Sequence, residues 1–228
     1  MKAQLIESWE IAPATRHFTF EIPEIDVFDF VPGQFISLVH EIDGKSITRA
    51  YSLSGLPDSN RFSICLNLAP EGKLSPYLFK MQAGDALEAK GPYGTFVFRE
   101  PHHTVMVATG TGVVPFRGML AKRLPEDPGH RYTLIFGTRY AGSLLYRTEF
   151  EALSERHANF DFLPTLTRPE PKWTGRTGRV QMHLLDFLGD RREADVYICG
   201  LKEMVDDVRE TLKALGFERK QIVFEKYD

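Results

Sequence analysis

The sequence predicts two domains of different class: an antiparallel Greek-key β-barrel over residues 1–100, then an α/β domain with a parallel sheet over residues 101–228. Three observations carry this. Up to Arg99, apolar residues come in short runs rich in aromatic and β-branched side chains, the pattern of closely spaced antiparallel strands. After Pro101, strand-like runs alternate with helical ones, which demands parallel pairing through right-handed crossovers. Just past that change, Val105-Met106-Val107-Ala108 leads into Thr109-Gly110-Thr111-Gly112 and then Pro115, which reads as a buried strand, a glycine turn and a helix start.

The barrel strands are expected at residues 18–22, 35–39, 62–66 and 86–90, within a stretch that is strand-like from Leu5 onward. Turn signals separate them at Pro32-Gly33, Asp43-Gly44, Pro57-Asp58, Ala83-Gly84-Asp85 and Gly91-Pro92. One helix interrupts the strands, with Ser75 as N-cap, Pro76 as first helical residue and residues 77–81 following. In the second domain, strands are expected at 105–108, 132–136, 160–166, 196–199 and 222–224. Helices are expected at 115–123, 148–156, 182–185 and 202–215. The last is the best patterned, with Met204, Val205, Val208, Leu212 and Leu215 on one face and Gly216 ending it. The helix starts at Pro76 and Pro115 leave backbone amides unpaired, a ready cradle for phosphate.

Composition excludes several classes. At 228 residues the chain is long enough for two cores, and 43% hydrophobic with 26% charged residues is ordinary for a folded protein. The formal net charge of -3, with no long run of one sign, favours neither nucleic acid nor membrane as partner. Two cysteines, Cys65 and Cys199, are too few for an all-thiolate cluster or structural zinc site, which needs about four. The first residues lack the apolar core of a signal peptide and no run of about 18 apolar residues exists, so a cytoplasmic protein is expected. Gly44-Lys45-Ser46 lacks the first glycine of a P-loop, and no metalloprotease, esterase-elbow or EF-hand spacing occurs. His102-His103 are adjacent and point apart, so no metal site is expected.

The remaining motifs run in a fixed order: Arg49-Ala50-Tyr51-Ser52, Gly72-Lys73-Leu74-Ser75, Gly110-Thr111-Gly112 with Pro115, Cys199-Gly200 followed by Met204, and Glu225-Lys226-Tyr227. In this order the chain resembles the ferredoxin–NADP reductases, specifically the bacterial ferredoxin/flavodoxin–NADP reductases, over nearly its whole length. Arg49 offers a planar fork for a pyrophosphate oxygen, Tyr51 a flat ring for a flavin face, and Ser52 a hydrogen bond to the flavin nitrogen that receives hydride. The resemblance implies FAD on Arg49, Ala50, Tyr51, Ser52, Lys73, Leu74, Ser75, Thr111 and Tyr227. It implies NADP(H) on Thr138, Arg139, Thr167, Arg168, Arg179, Gly200 and Met204, and it groups Ser52, Cys199 and Glu225 as catalytic residues around the nicotinamide.

Charge agrees on NADPH. In a dinucleotide domain an acid after the second strand accepts the ribose 2′-hydroxyl, whereas arginine meets a 2′-phosphate. Here that strand runs into Gly137-Thr138-Arg139 with no acid until Glu149, Arg168 follows the third strand, and Arg179 lies in Gly178-Arg179-Val180. The implied partner is a separate ferredoxin or flavodoxin, served by a monomer. Rival readings are an NAD(P)H:flavin reductase, the reductase component of an oxygenase, and a non-enzymatic nucleotide-sensing subunit. One departure stands out: the sequence finishes Tyr227-Asp228 where many relatives carry a terminal aromatic residue or a longer tail.

Overall fold

The structure is a computed structural model that describes residues 1–99 and 103–227. The expected domain boundary, His102 and the terminal Asp228 lie outside the described residues. The chain forms two compact units, Met1–Val97 with Val114–Lys122, and Phe98–Val113 with the chain from Arg123 onward.

The first unit contains β1 (Lys2–Ala12), β2 (Thr15–Glu21), β3 (Phe35–Ile42), β4 (Lys45–Ser52), β5 (Arg61–Asn67), α1 (Leu74–Leu78) and β6 (Ala86–Tyr93). They form one six-stranded antiparallel sheet in the order β4-β3-β6-β1-β2-β5. A backbone hydrogen bond from Ser54 N to Ser63 O, 2.8 Å, draws the two ends of that order together. Alternation explains the core: Phe18 and Phe20 of β2, Ile36 and Leu38 of β3 and Ile64 of β5 all point inward and are fully buried. β3 and β4 are longer than the apolar runs suggest because Asp43 and Gly44, both at positive φ (53° and 70°), make the two-residue hairpin turn between them.

α1 corrects the expected cap. Lys73, not Ser75, is the N-cap residue, and it makes no side-chain capping bond. The Ser75 hydroxyl is used instead to tie the preceding turn, accepting from Ala69 N at 3.0 Å and donating to Ala69 O at 3.3 Å. That bond pulls the helix start forward and seats Leu74 and Leu78 in the barrel core.

In the second unit β7 (His103–Thr109), β8 (Tyr132–Thr138), β9 (Phe160–Leu166), β10 (Arg176–Thr177), β11 (Ala194–Leu201) and β12 (Ile222–Tyr227) form a parallel sheet ordered β10-β9-β8-β7-β11-β12. The helices of the chain from β7 onward are α2 (Val114–Glu126), α3 (Arg147–Arg156), α4 (Val180–Leu188) and α5 (Lys202–Ala214). α4 and α5 bury Val180, Leu184, Leu188, Val205, Val208 and Leu212 against Val105, Val107, Ile135, Val196 and Ile198 of the sheet. Each such side chain contributes roughly 1.5–3 kcal/mol. α3 packs Phe150 on Phe162 of β9, ring centroids 5.4 Å apart.

Two expectations changed here. α4 is longer than residues 182–185 because its apolar face begins at Val180. α2 starts at Val114, after a 3-10 turn at Gly110–Val113, and continues through Pro125 into its last turn. The first part of α2 belongs to the first unit: Phe116 lies on Phe96 with centroids 5.7 Å apart, and Gly118 sits so close to the Gly55 carbonyl that a Cβ would come within 2.4 Å of it.

Candidate functional site

In the first unit, period-two alternation places Arg49 and Tyr51 on one face of β4 and Ala50 and Ser52 on the other. The Arg49 guanidinium is exposed and donates to its neighbour's carbonyl, Thr48 O, at 2.8 Å. Tyr51 packs partly against the barrel core, and burial pushes its phenol up to about 12 despite the Arg49 cation, so the ring stays neutral. Ser52 is buried at 6% exposure. Lys73 is exposed, 3.8 Å from the Asp43 carboxylate, while Leu74 and Ser75 are buried. The Tyr77 ring stacks on His40, centroids 3.8 Å apart, beside this region. A forked cation, an aromatic face, hydroxyls and an ammonium suit a molecule with phosphates and flat rings.

In the second unit the C-terminal strand ends converge, as ligand sites in parallel sheets require. Cys199 of β11 pairs in register with Glu225 of β12, and Leu201 with Tyr227. Cys199 is fully buried. Burial and then the Glu225 charge push its thiol well up, partly offset by a hydrogen bond from the Tyr227 side chain, so it is a neutral thiol near pH 7. Gly112 explains the glycine turn, since a Cβ there would lie 2.1 Å from the Cys199 carbonyl. Thr111 is half-exposed in the same turn, in the second unit. A side chain at Gly200 would strike Thr109 Oγ1 and Met204, and Met204 itself is buried in the core. Among the described residues, Thr109 Oγ1 is a buried hydroxyl without a hydrogen-bond partner, which marks this strand end as one that a ligand would complete.

The arginines form a second group. Backbone hydrogen bonds from Thr167 N to Thr138 O, 3.0 Å, and Arg168 N to Arg139 O, 2.9 Å, set the segments after β8 and β9 side by side. Gly178 N donates to Leu166 O at 2.9 Å and brings Arg179 into the same row. Arg139, Arg168 and Arg179 are exposed, and none has an ion-pair partner among the described residues. Glu170, two residues past Arg168, accepts the Ala141 amide at 3.4 Å.

Sequence reasoning missed Arg117 of α2, whose Nη1 donates to Ser54 O at 2.6 Å just beyond β4. An arginine inside an otherwise buried helix stretch, Val114-Pro115-Phe116-Arg117-Gly118, was the available signal. It also missed β10, whose two residues carry no periodicity. No helix among the described residues is long and apolar enough to cross a membrane, and no group of three His, Cys, Asp or Glu among them is placed to hold a metal.

Comparison with known proteins identifies both units. Residues 2–98 match the oxidoreductase FAD-binding domain family and residues 106–210 the oxidoreductase NAD-binding domain family. Fold and site therefore define a flavoprotein oxidoreductase that binds FAD and a nicotinamide nucleotide. Ferredoxin–NADP reductase B of Sorangium cellulosum (strain So ce56) is 36% identical over 238 residues, covering all of this chain and 97% of the relative. NADH-cytochrome b5 reductase 1 of Laccaria bicolor is 30% identical, over 91% of this chain and 70% of its own. The ferredoxin NADP+ reductase of Neisseria gonorrhoeae, solved with bound FAD and NADP, superposes with a TM-score of 0.82 at 25% identity, covering 99% of this chain and 98% of that one. The chain belongs to the ferredoxin–NADP reductase family.

Proposed function

We infer that this protein is an NADPH-dependent ferredoxin or flavodoxin reductase. The observation that carries the nucleotide preference is the row of three exposed arginines, Arg139, Arg168 and Arg179, at neighbouring strand ends, without an ion-pair partner among the described residues. Guanidinium forks suit a phosphate, and an NADH site would instead present an acid to the ribose 2′-hydroxyl. The relatives alone do not decide, since one is named for NADP and another for NADH.

Arg49, with Lys73, would neutralise the FAD pyrophosphate, Tyr51 would offer its ring to the flavin, and Ala50 and Leu74 would contribute their backbone. Bound FAD supplies the exchange of hydride for single electrons that lets a two-electron donor feed a one-electron carrier. Ser52 would supply a hydroxyl to the reacting part of the flavin. Cys199, held neutral, and Glu225 shape the nicotinamide place without acting as a nucleophile or a fixed thiolate. Two cysteines are too few to hold an all-thiolate iron–sulfur centre within these residues, so the flavin passes its electrons outward to the carrier.

The test is the visible absorbance of the purified protein before and after anaerobic NADPH, repeated with NADH, followed by ferredoxin, flavodoxin and free FMN as acceptors. Yellow protein bleached faster by NADPH, and reoxidised by ferredoxin or flavodoxin, is the expected result. Faster bleaching by NADH, or turnover with free FMN alone, overturns it.

A further inference from the structure

Resting on the reading that residues 49–52 hold the flavin, we propose that Arg117 is a positioning residue for that strand, locking the turn at residues 52–55 and so fixing Tyr51 and Ser52. The turn is deeply seated: Ser52 is 6% exposed and Leu53 and Ser54 are fully buried. Leu53 N donates to Gln34 O at 2.9 Å and Ser54 N to Ser63 O at 2.8 Å, which holds one side of it. Arg117 holds the other. Its Nη1 donates to Ser54 O at 2.6 Å and lies 3.4 Å from Ser54 Oγ. A cationic donor on a buried carbonyl is roughly twice as strong as a neutral one.

The helix is built to deliver this contact. Gly118, the next residue, lets the α2 backbone press against the Gly55 carbonyl, and Phe116, the preceding one, is anchored on Phe96. The α2 segment Val114–Lys122 belongs to the same compact unit as β4 although it follows the glycine turn in sequence. Both contacts come from one nitrogen, Nη1, so a single cationic donor at the end of a long side chain meets the task.

The experiment compares Arg117→Met, Arg117→Lys and Tyr51→Ala in the FAD-loaded enzyme. It reads melting temperature, visible circular dichroism of the bound flavin, and the rate of flavin reduction per bound FAD against the NADPH KM. Arg117→Met is expected to alter the dichroism band and slow reduction at saturating NADPH about tenfold with KM within about twofold, while Arg117→Lys recovers the rate to within about threefold of wild type. A lowered melting temperature with unchanged dichroism and unchanged rate overturns the proposal, as does failure of lysine to rescue. If Arg117→Met does not fold, Arg117→Gln is read in its place, and failure of both to fold assigns Arg117 a structural role only. Tyr51→Ala separates the two readings. If it leaves the flavin band intact, the flavin assignment fails; if it abolishes the band while Arg117→Met leaves band and rate unchanged, only the positioning role fails.

Discussion

Arg139 and Arg168 are the side chains whose loss should separate the two nicotinamide nucleotides. Each would donate a charge-assisted hydrogen bond worth roughly 1.5–3 kcal/mol to a 2′-phosphate that NADH lacks. Arg139→Ala or Arg168→Ala should therefore raise KM for NADPH about tenfold or more and leave NADH unchanged, and equal losses for both in steady-state kinetics would move the phosphate site elsewhere. His17 gives a pH signature. Burial and then the Arg117 cation lower it from 6.5 to about 4. The unfolded chain binds the extra proton between those values, so stability rises with pH across this window and falls by about 3 kcal/mol from pH 6.5 to 4. Urea unfolding at pH 7 and 4.5 should show that loss, and His17→Gln should flatten it. The sequence put Arg49 and Tyr51 on one barrel strand, and the structure has them on one face of β4. The register that sets Cys199 opposite Glu225 and Leu201 opposite Tyr227 was not legible there, because parallel pairing joins strands distant in sequence.

At the scale of elements, the glycine turn between β7 and α2 divides into two unlike positions. Gly112 has backbone against it, and Gly110, at φ 54°, has open space around its Cβ position. Gly112→Ala should cost about 3 kcal/mol or more through collision with the Cys199 carbonyl, and Gly110→Ala only about 1–2 kcal/mol of left-handed backbone strain. Denaturant titration of the two variants checks the order, and a costlier Gly110→Ala would show the turn to be held differently. Most elements were legible because period two gives way to helical runs near residue 100. The misplaced cap of α1 had a specific cause: Ser75 hydrogen-bonds both backbone groups of Ala69, and a tertiary use of that kind leaves no trace in local propensity.

For the whole molecule, two units with separate cores should respond separately to their ligands. Ligand at about 100 times its Kd stabilises what binds it by roughly 2.7 kcal/mol. Hydrogen exchange should therefore slow in β4 and α1 on adding FAD, and at the ends of β8 and β9 on adding NADP+. Protection of β1 and β2 by NADP+ equal to that of β8 would contradict this assignment. The split between classes was legible from the change of patterning near residue 100, whereas the membership of α2 was not, since nothing in a helical pattern says which core it will join.

That membership has a practical consequence for anyone grafting halves between relatives. A chimera joined by one splice near residue 100 takes its barrel from one parent and the helix that braces that barrel from the other. Mismatch at Phe116, Arg117 and Gly118 then falls on the recipient's Phe96, Ser54 and Gly55. Transplants that carry residues 114–122 along with the barrel should keep their colour, and those that leave them behind should lose it.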